Sequence, residues 1–593
     1  MKGGISSGIV YPPAILELVD NNYYFKQIGG SSAGAIAACA TAAAEYGRRE
    51  GNDKSFDTFQ DKTEKFLSEP KTVTNLRSLF QPTKENQPLF DLIFKLLEAD
   101  NKLLFLLTNI LPLTSIFTRT TFGFGNFKLN SLTENYHLTH LKKNHWGLCT
   151  GMEGVSPVRG ENRKAVTQWL HDVIQKCSGL NNTKPLTFGD LEDTPPQDKI
   201  TLRMVTSNLS QNQPYILPFE HHYFIFERNE FNQLFPQELV DYMVNDLVPK
   251  QTQEYQQNNN FALPIIDNHK GKEYYFLPIG KYMPVLVATR MSMSFPILFS
   301  MIPLYSIKAS AKNKPIIKEE DLLINLFSDG GISSNFPIHF FDALIPSYPT
   351  FGIDLVTQQT TDQFSFIPTN IRGEYYKIPE PNVYLPKPDH LPSPMRYELD
   401  GLLNIIMKGI FPTAQNYRDT MQSGLPSYRE RIVKIYLEEN EGGLNLNMTS
   451  SQIENLQNKG HEAGTKLTQE FHFRHHQWVR VKIMMGLLEK GLTTIDRANF
   501  NYQLLLEQQQ NNSFPYAEKD ENWGIESQKR INALACLIVM FKQPEIIDQI
   551  KNMIDDLPAE ISPDEQNELN KIFAITKPLE DEKQILLRVT PEI

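Results

Sequence analysis

The stretch Phe25–Tyr46, which reads FKQIGGSSAGAIAACATAAAEY, decides the fold. Its first residues, Phe25–Ile28, predict a short strand that ends at two consecutive glycines. Residues 33–46 are rich in alanine, the residue with the highest helix propensity, and predict a helix that closes at Gly47. A strand, a tight turn and a helix in direct succession, repeated along the first half of the chain, are typical of an α/β protein.

The turn between this strand and helix carries a G-x-S-x-G motif at Gly30–Gly34. In that position the motif indicates a nucleophile elbow, a strained turn that exposes a serine, here Ser32. The N-terminus of the following helix offers free N–H groups and the positive end of the helix dipole. The alternative is a glycine-rich turn without catalysis, and the place of the motif between strand and helix favours the elbow.

A second glycine-rich segment, Lys2–Gly8, reads KGGISSG and precedes a helix predicted from about Ile9. Such a loop can bind an anion through its backbone N–H groups. A nucleotide phosphate is disfavoured because the segment matches neither the GxxxxGK[ST] nor the G-x-G-x-x-G spacing. An oxyanion hole beside a serine nucleophile is the better interpretation.

The third segment follows an apolar strand predicted at Leu322–Phe327 and reads Ser-Asp-Gly-Gly over Ser328–Gly331. A carboxylate at a strand end, followed by two glycines, can approach another residue closely. An Asp-Gly pair is also a common turn, so this segment alone leaves a purely structural role open.

In this order the three segments resemble the patatin-like phospholipase family, which carries a glycine-rich oxyanion loop, a G-x-S-x-G and a D-G-[GA]. The resemblance covers about residues 2–360. It includes three further stretches, at Leu186–Leu191, Leu202–Phe219 and Ala288–Pro303. Tyr428–Leu446 resembles the C-terminal part of a long bacterial subgroup of the family.

The resemblance implies an α/β fold, a three-layer α/β/α sandwich that is a modified α/β-hydrolase-like fold. It implies a Ser-Asp dyad in which Ser32 is the nucleophile and Asp329 its base, without a metal or a cofactor. The oxyanion hole would be lined by the amides of Gly3, Gly4, Ile5 and, by the general logic of the elbow, Ala33. The motifs would be supported by Gly8, Gly30, Gly34, Gly330 and Gly331.

The N-terminal loop departs from the family pattern, which is G-G-G-x-[RK]-G. Here Ile5 replaces the third glycine and Ser7 the basic residue. The family also has a strand before this loop, whereas only two residues precede Gly3, so we expect a missing strand or a start codon placed too late. A loop so close to a free terminus is expected to fray, which predicts weak activity and a gain from an upstream β-type segment.

Three regions are predicted along the chain: a patatin-like catalytic domain over residues 1–378, a Pro-rich connection over 379–396 and a mostly helical region over 397–593. Residues 51–180 are predicted to be a mostly helical insertion that can serve as a lid. Its most apolar run, Leu103–Leu113, is either a buried helix, which we favour, or a membrane-docking surface.

Further elements follow from short apolar runs and polar stretches. Strands are predicted at Leu202–Thr206, Val285–Thr289, Phe351–Val356 and Ile432–Leu437. Loops are predicted at Thr252–Asn260 and Lys308–Glu320, and a core-packed helix at residues 527–541.

Composition restricts the function. A formal net charge of −11 argues against a nucleic-acid partner. The 4 cysteines lie far apart, which disfavours a disulfide framework or a cysteine zinc site and fits the cytoplasm.

The HFRHH run at residues 472–476 is interpreted as a solvated helix face rather than a metal site. No apolar run reaches the roughly 20 residues that a spanning helix needs, so membrane contact would be peripheral.

We therefore predict a serine acyl hydrolase of the phospholipase A type, acting on phospholipids or other acyl esters. Two alternatives stay open. One is a Ser-His-Asp esterase that uses His339, and the other is a catalytically impaired lipid-binding or interaction protein, which the departures in the N-terminal loop favour.

Overall fold

The structure is a computed structural model that describes residues 1–494 except 5, 70–74, 99–138, 157–162, 182–183, 194–198, 222–223, 260–262, 269–270, 312–313, 358–381, 388–404, 439–440 and 443–444. Three predictions fall wholly or mostly outside the described residues. These are the apolar segment Leu103–Leu113, the helix at 527–541 and the Pro-rich connection at 379–396.

The described strands are β1 Gln27–Gly30, β2 Gly147–Cys149, β3 Thr201–Asn208, β4 Gln213–Leu217, β5 Ile225–Glu227, β6 Ile265–Ile266, β7 Tyr274–Phe276, β8 Ile297–Phe299, β9 Ile302–Ile307, β10 Ile316–Ile317, β11 Leu322–Asp329, β12 Gly352–Thr357, β13 Val383–Tyr384 and β14 Ile432–Leu437. The strands predicted near residues 28, 202, 322, 351 and 432 are confirmed.

The described α-helices are α1 Tyr11–Asp20, α2 Ala33–Arg49, α3 Ser55–Lys62, α4 Glu64–Ser68, α5 Asn75–Ser78, α6 Gln87–Glu98, α7 Val166–Ser178, α8 Phe188–Glu192, α9 Arg228–Leu234, α10 Gln237–Tyr242, α11 Val248–Asn259, α12 Val285–Ser292, α13 Phe411–Ser423, α14 Ser450–Gln469 and α15 Phe473–Thr494. Shorter 3₁₀ or π turns lie at Ser7–Val10, Met243–Leu247, Gly280–Tyr282, Ala309–Ala311, Glu319–Asp321, Gly330–Ile332, Ile338–Phe341, Ile405–Ile410 and Arg429–Arg431.

A mixed seven-stranded sheet has the order β1-β3-β11-β9-β5-β7, with β4 also paired to β3. β1 runs parallel to β3 and places Gly30 opposite Met204. β11 runs antiparallel to β3 and places Asp329 opposite Thr206. The last residues of β1 and β11 therefore both pair with the short stretch Met204–Thr206 of β3.

Helix α2 packs its alanines into the core and extends three residues beyond the predicted end. We predicted that Gly47 closes this helix, and the structure shows that this is wrong, since the helix runs through Gly47 to Arg49. A Cβ on Gly47 would lie 2.2 Å from the carbonyl oxygen of Cys177 in α7. The glycine therefore permits close packing of two helices rather than ending one of them.

Two further predictions of secondary structure are wrong. Val285–Thr289 is not a strand but the first part of α12, because a short apolar run buried on all sides has no period that separates strand from helix. Thr252–Asn260 is not a loop, since most of it lies in α11. The side chain of Gln251 anchors this polar helix by donating to the carbonyl of Leu277 (3.1 Å) and accepting from the amide of Ile279 (2.7 Å).

A second sheet of three strands has the order β12-β14-β13. β12 and β14 run parallel, with Gly352 opposite Ile432 and Thr357 opposite Leu437. Helix α14 follows β14 and lies against α1 at close range. A Cβ on Gly460 would come within 2.3 Å of the carbonyl oxygen of Val10.

The chain divides into two compact units. The first contains residues 1–342, 350–424 and 428–471, so β14 and α14 belong to the unit that holds Ser32. This grouping crosses the boundary predicted at residue 397, because β14 pairs with β12 along its whole length. The boundaries predicted at 378 and 397 stay a prediction for the folding domains.

The second unit contains residues 343–349, 425–427 and 472–593. Within it, the guanidinium of Arg480 in α15 donates to the hydroxyl of Ser427 (3.0 Å) and to the carbonyl of Leu344 (3.2 Å). In the part of the chain that the structure describes, no helix has both the length and the apolar character to span a membrane.

Candidate active site

Ser32 lies at the junction between β1 and α2 and adopts φ 55° and ψ −128°. Non-glycine residues rarely have a positive φ, and such strained positions cluster at functional sites. The turn is tight enough that a Cβ on Gly30 would lie 2.1 Å from the carbonyl oxygen of Gly34. The glycine at the start of the predicted elbow is thus needed for the close approach of the strand to the helix.

Asp329 is the last residue of β11 and faces Ser32 directly. The hydroxyl of Ser32 donates to Oδ2 of Asp329 at 2.7 Å, although the two residues are 297 positions apart in the sequence. The backbone N–H of Gly331 donates to Oδ1 at 2.6 Å and fixes the second carboxylate oxygen. Gly330 leaves no room for a side chain, since a Cβ there would lie 2.1 Å from the carbonyl oxygen of Val205.

The carboxyl group of Asp329 is almost completely enclosed, with 2% of the residue exposed. Burial disfavours the charged form and raises its pKa from 3.8 to about 7, against the opposing effect of the two hydrogen bonds from Ser32 and Gly331. A base with a pKa near the working pH accepts a proton more readily than an ordinary aspartate, and about half of it is ionised at that pH.

The amides of Ala33, which follows Ser32, and of Gly4, which follows Gly3, are candidate donors to an oxyanion. Among the described residues, the amides of Gly4 and Ala33 have no hydrogen-bond acceptor. The amide of Gly3 is already used, because it donates to the carbonyl of Asn335 at 3.0 Å. Gly3 is therefore not a free donor as predicted, and Ile5 lies outside the described residues.

Gly3 instead has a packing role, pressed between Ser32 and Asn335. A Cβ on Gly3 would lie 2.2 Å from Oδ1 of Asn335 and 2.7 Å from Cβ of Ser32. Gly34 is equally enclosed, since a Cβ there would lie 2.3 Å from the carbonyl oxygen of Met1. A Cβ on Gly8 would make only an ordinary contact, at 3.4 Å from Cβ of Ala33.

The predicted fraying of the N-terminal loop is wrong for residues 1–4. The nitrogen of Met1 donates to the carbonyl of Gly29 (2.9 Å) in β1. The amide of Lys2 donates to Ile353 (3.4 Å), and its ammonium group to the carboxylate of Asp354 (2.7 Å), both in β12. The segment is held because it hydrogen-bonds with both β1 and β12. The sequence motifs did not indicate these contacts.

An apolar cavity of about 90 Å³ opens beside Ser32. One wall is a face of α2 formed by Ala33, Ile36, Ala37 and Ala40. The predicted helical insertion also contributes to the lining, with Phe59, Thr63, Leu67, Leu76, Leu79, Phe80, Val166 and Trp169. Such a lining can accept a hydrocarbon chain but not a charged group.

No histidine among the described residues hydrogen-bonds with Ser32 or Asp329. Ser32 contacts Asp329 without an imidazole between them, and Nδ1 of His339 has no hydrogen-bond partner among the described residues. Burial and the charge of Arg418 lower the pKa of His339 to about 4. His472 and His475 are exposed as predicted, but His476 is buried. The described residues contain no group of three metal-ligating side chains that could hold an ion.

Three residues that the motifs did not predict support the site. The hydroxyl of Ser292 accepts from the amide of Ser32 at 3.3 Å, and the carbonyl of Ser294 accepts from the amide of Asp329 at 3.0 Å. Both serines fall in the stretch 288–303 that we identified from the resemblance. The carboxylate of Asp419 binds the loop after Asp329, and no sequence signal pointed to it.

The chain is similar to a known protein family and to a curated bacterial protein. A family model described as patatin-like phospholipase matches residues 1–342, which include Ser32 and Asp329. A relative from Rhizobium meliloti (strain 1021), named RpoH suppressor, is 34% identical over 572 residues, which cover 84% of this chain and 86% of that protein.

A solved structure, the crystal structure of VipD from Legionella pneumophila, also aligns with this chain. The identity is 13% and the TM-score 0.25, with 98% of this chain and 90% of that chain covered.

Proposed function

This chain belongs to the patatin-like phospholipase family, a family of lipid acyl hydrolases, and we propose that it cleaves the fatty-acyl esters of phospholipids through Ser32 and Asp329. The α/β/α sandwich of the family agrees with the mixed sheet and the helices packed on it. The proposal goes beyond the family in naming a phospholipase A type of activity and a Ser-Asp dyad.

The observation that carries the proposal is the hydrogen bond of 2.7 Å from the Ser32 hydroxyl to the Asp329 carboxylate at a strained elbow. A hydroxyl is a weak nucleophile unless a base removes its proton as it attacks. Asp329 is placed to do this, and its raised pKa of about 7 makes it a better base than an exposed aspartate.

In the first half of the reaction, Oγ of Ser32 attacks the ester carbonyl while its proton moves to Oδ2 of Asp329. The negative charge that develops on the carbonyl oxygen is stabilised by the free amides of Gly4 and Ala33. The intermediate then collapses, and Asp329 returns the proton to the leaving alcohol, which departs as the lysophospholipid. The acyl group stays on Ser32 as an ester.

In the second half, Asp329 accepts a proton from a water molecule as its oxygen attacks the acyl-enzyme. Collapse of this intermediate releases the fatty acid and returns the proton to Ser32. The apolar cavity along α2 would hold the acyl chain throughout, because it opens at Ser32 and offers almost only hydrocarbon contacts. A cytoplasmic location with peripheral membrane contact stays a prediction.

The structure gives less support to the two alternatives. A Ser-His-Asp esterase needs an imidazole bonded to the nucleophile, and Ser32 donates instead to a carboxylate. The alternative of an impaired lipid-binding protein was motivated by the missing first strand and by the substitutions in the N-terminal loop. Residues 1–3 nevertheless hydrogen-bond with β1, β12 and Asn335, which supports an ordered loop.

The test is to incubate the full chain with vesicles of a diacyl phosphatidylcholine and to identify the products by mass spectrometry. We expect equal amounts of fatty acid and lysophospholipid from the wild type and neither product from Ser32→Ala. Binding of the vesicles without any product, by wild type and variant alike, would favour the lipid-binding alternative. Hydrolysis that persists in Ser32→Ala would refute the assignment of the nucleophile.

A further inference from the structure

Helix α13 comes from outside the family-matched residues 1–342, yet it binds the loop that follows Asp329. Oδ2 of Asp419 accepts hydrogen bonds from the amides of Asn335 (2.6 Å) and Phe336 (2.7 Å). Oδ1 accepts from the hydroxyl of Ser334 at 3.2 Å. One turn earlier on the helix, the amide of Gln415 donates to the carbonyl of Gly331.

Asp419 is well placed to hold this loop firmly. Only 5% of the residue is exposed. Burial raises its pKa, and the hydrogen bonds from the two amides and from Ser334 act in the opposite direction. Hydrogen bonds to an ionised carboxylate are shorter and stronger than those between neutral groups. Loss of the carboxylate would leave the partly buried amide of Asn335 and the buried amide of Phe336 without this acceptor, which is costly.

The loop held by Asp419 in turn holds the oxyanion loop. The carbonyl of Asn335 accepts from the amide of Gly3 at 3.0 Å, and its side-chain amide donates to the carbonyl of Gly3 at 3.4 Å. Gly3 packs directly on Ser32 and precedes Gly4, whose amide is free. A continuous path of hydrogen bonds therefore leads from Asp419 through Asn335 to the residue next to the oxyanion donor.

We propose that Asp419 is a positioning residue for the oxyanion hole, so that the catalytic centre is completed by a helix from beyond the family-matched region. This inference rests on the proposed function. Among the described residues, Asp419 hydrogen-bonds with neither Ser32 nor Asp329, and it acts through Asn335 and Gly3. Without it, the Gly4 amide would lose its fixed position although the dyad would stay intact.

The first test separates turnover from binding. In Asp419→Ala we expect kcat for a soluble short-chain ester to fall by about 10²-fold, the usual effect of losing one oxyanion donor, with KM changed less than about twofold. Binding of a trifluoromethyl ketone, which forms a tetrahedral adduct on the nucleophile, should weaken by the same factor as kcat/KM. Asp419→Asn keeps one carbonyl acceptor, so its kcat should be at least about a tenth of the wild-type value.

Glu227 provides a matched control. It is buried, and its carboxylate also accepts from two backbone amides, those of Glu230 (2.8 Å) and Glu273 (3.2 Å), at the far side of the sheet. Glu227→Ala should lower the melting temperature as much as Asp419→Ala without changing kcat. If both variants reduce kcat equally, Asp419 has only a general structural role and the proposal is refuted.

The second test does not depend on catalysis. Hydrogen–deuterium exchange, followed by mass spectrometry of the N-terminal peptide, reports whether residues 1–10 are held. In Asp419→Ala we expect faster exchange in this peptide and in residues 330–341, with the peptides of β5 and β7 unchanged. If exchange of residues 1–10 is the same in the variant and the wild type, the proposal fails, whatever the activity of the wild type. Absence of turnover in the wild type would instead count against the proposed function.

Discussion

The catalytic dyad and the oxyanion loop are positioned in different ways. Ser32 and Asp329 each end or follow a strand, and the two strands flank β3 in one sheet. The oxyanion loop is held instead by hydrogen bonds that join residues 1–3 to β1, to β12 and to Asn335. The register of neighbouring strands therefore places the dyad, with Ser292 and Ser294 as further supports, whereas the loop depends on residues scattered over the chain.

The largest effect is expected from the dyad itself. Ser32→Ala should reduce hydrolysis by about 10³-fold or more, because removal of the covalent nucleophile cannot be compensated. The melting temperature should stay the same or rise slightly, since the substitution leaves the sheet register unchanged. Retention of a tenth of the activity, measured with a fluorogenic ester, would show that another residue attacks the substrate.

Asp329→Asn should be nearly as damaging, with a loss of about 10²–10⁴-fold, because the amide keeps the shape but cannot accept the proton. The same change should stabilise the protein at high pH. Folding raises the pKa of the Asp329 carboxyl group from 3.8 to about 7. The stability that the protonated carboxyl group contributes is therefore fully present below pH 3.8 and is lost as the pH rises through about 7.

Differential scanning calorimetry at several pH values tests this second effect. The melting temperature of Asp329→Asn should exceed that of the wild type at about pH 8, and the difference should shrink toward about pH 5. A difference that grows as the pH falls would mean that the fold stabilises the ionised form of Asp329. The pKa of Asp329 would then be lowered and not raised, against the expectation.

The oxyanion loop is tested by Gly3→Ala. The new methyl group would lie 2.2 Å from Oδ1 of Asn335 and 2.7 Å from Cβ of Ser32, so the loop must move. We expect kcat to fall by about 10²-fold. Gly486→Ala is the control, since a Cβ there has nothing within 4 Å, and it should have the kcat of the wild type.

The pH dependence of kcat/KM gives a smaller effect. Because Asp329 must be ionised to act as a base, the rate should rise about tenfold per pH unit below its pKa of about 7 and level off above it. A limb from His339 would lie near its lowered pKa of about 4, so the position of the limb and the profile of His339→Ala together decide between the two bases. That variant should retain the wild-type limb, and disappearance of the limb would favour the Ser-His-Asp alternative.

The smallest effect concerns the apolar cavity. Ala37 lines it, and Ala37→Leu should fill part of the space that an acyl chain would occupy. We expect kcat/KM for an octanoyl ester to fall roughly tenfold, the equivalent of about two buried methylene groups. An acetyl ester serves as the control, and an equal loss for both esters would place the acyl chain elsewhere.

The sequence predicted those features that depend on neighbouring residues. The elbow at Ser32 and the Asp-Gly-Gly turn at Asp329 were predicted because each motif lies next to the strand that carries it. Their contact was expected from the family order of the motifs, and the register of β3 explains it.

The support of the oxyanion loop was not predicted, because it involves contacts between distant residues. Neither the carbonyl of Asn335 nor the carboxylate of Asp419 belongs to a motif, and backbone donors leave no trace in the sequence. For the same reason Gly3 was assigned as a donor, although its amide is already bonded. The helix at Val285–Ser292 was missed because a short apolar run in a core has no distinctive period.

The proposed mechanism requires Ser32 as the nucleophile and Asp329 as its direct base. The most direct measurement is the rate at which a fluorophosphonate modifies the protein at several pH values, followed by intact mass and peptide mapping. We expect a single adduct on Ser32. Its rate of formation should rise through about pH 7 in the wild type and in His339→Ala, and should be low at every pH in Asp329→Asn. An adduct on another residue, or a rate that depends on His339 but not on Asp329, would contradict the proposed mechanism.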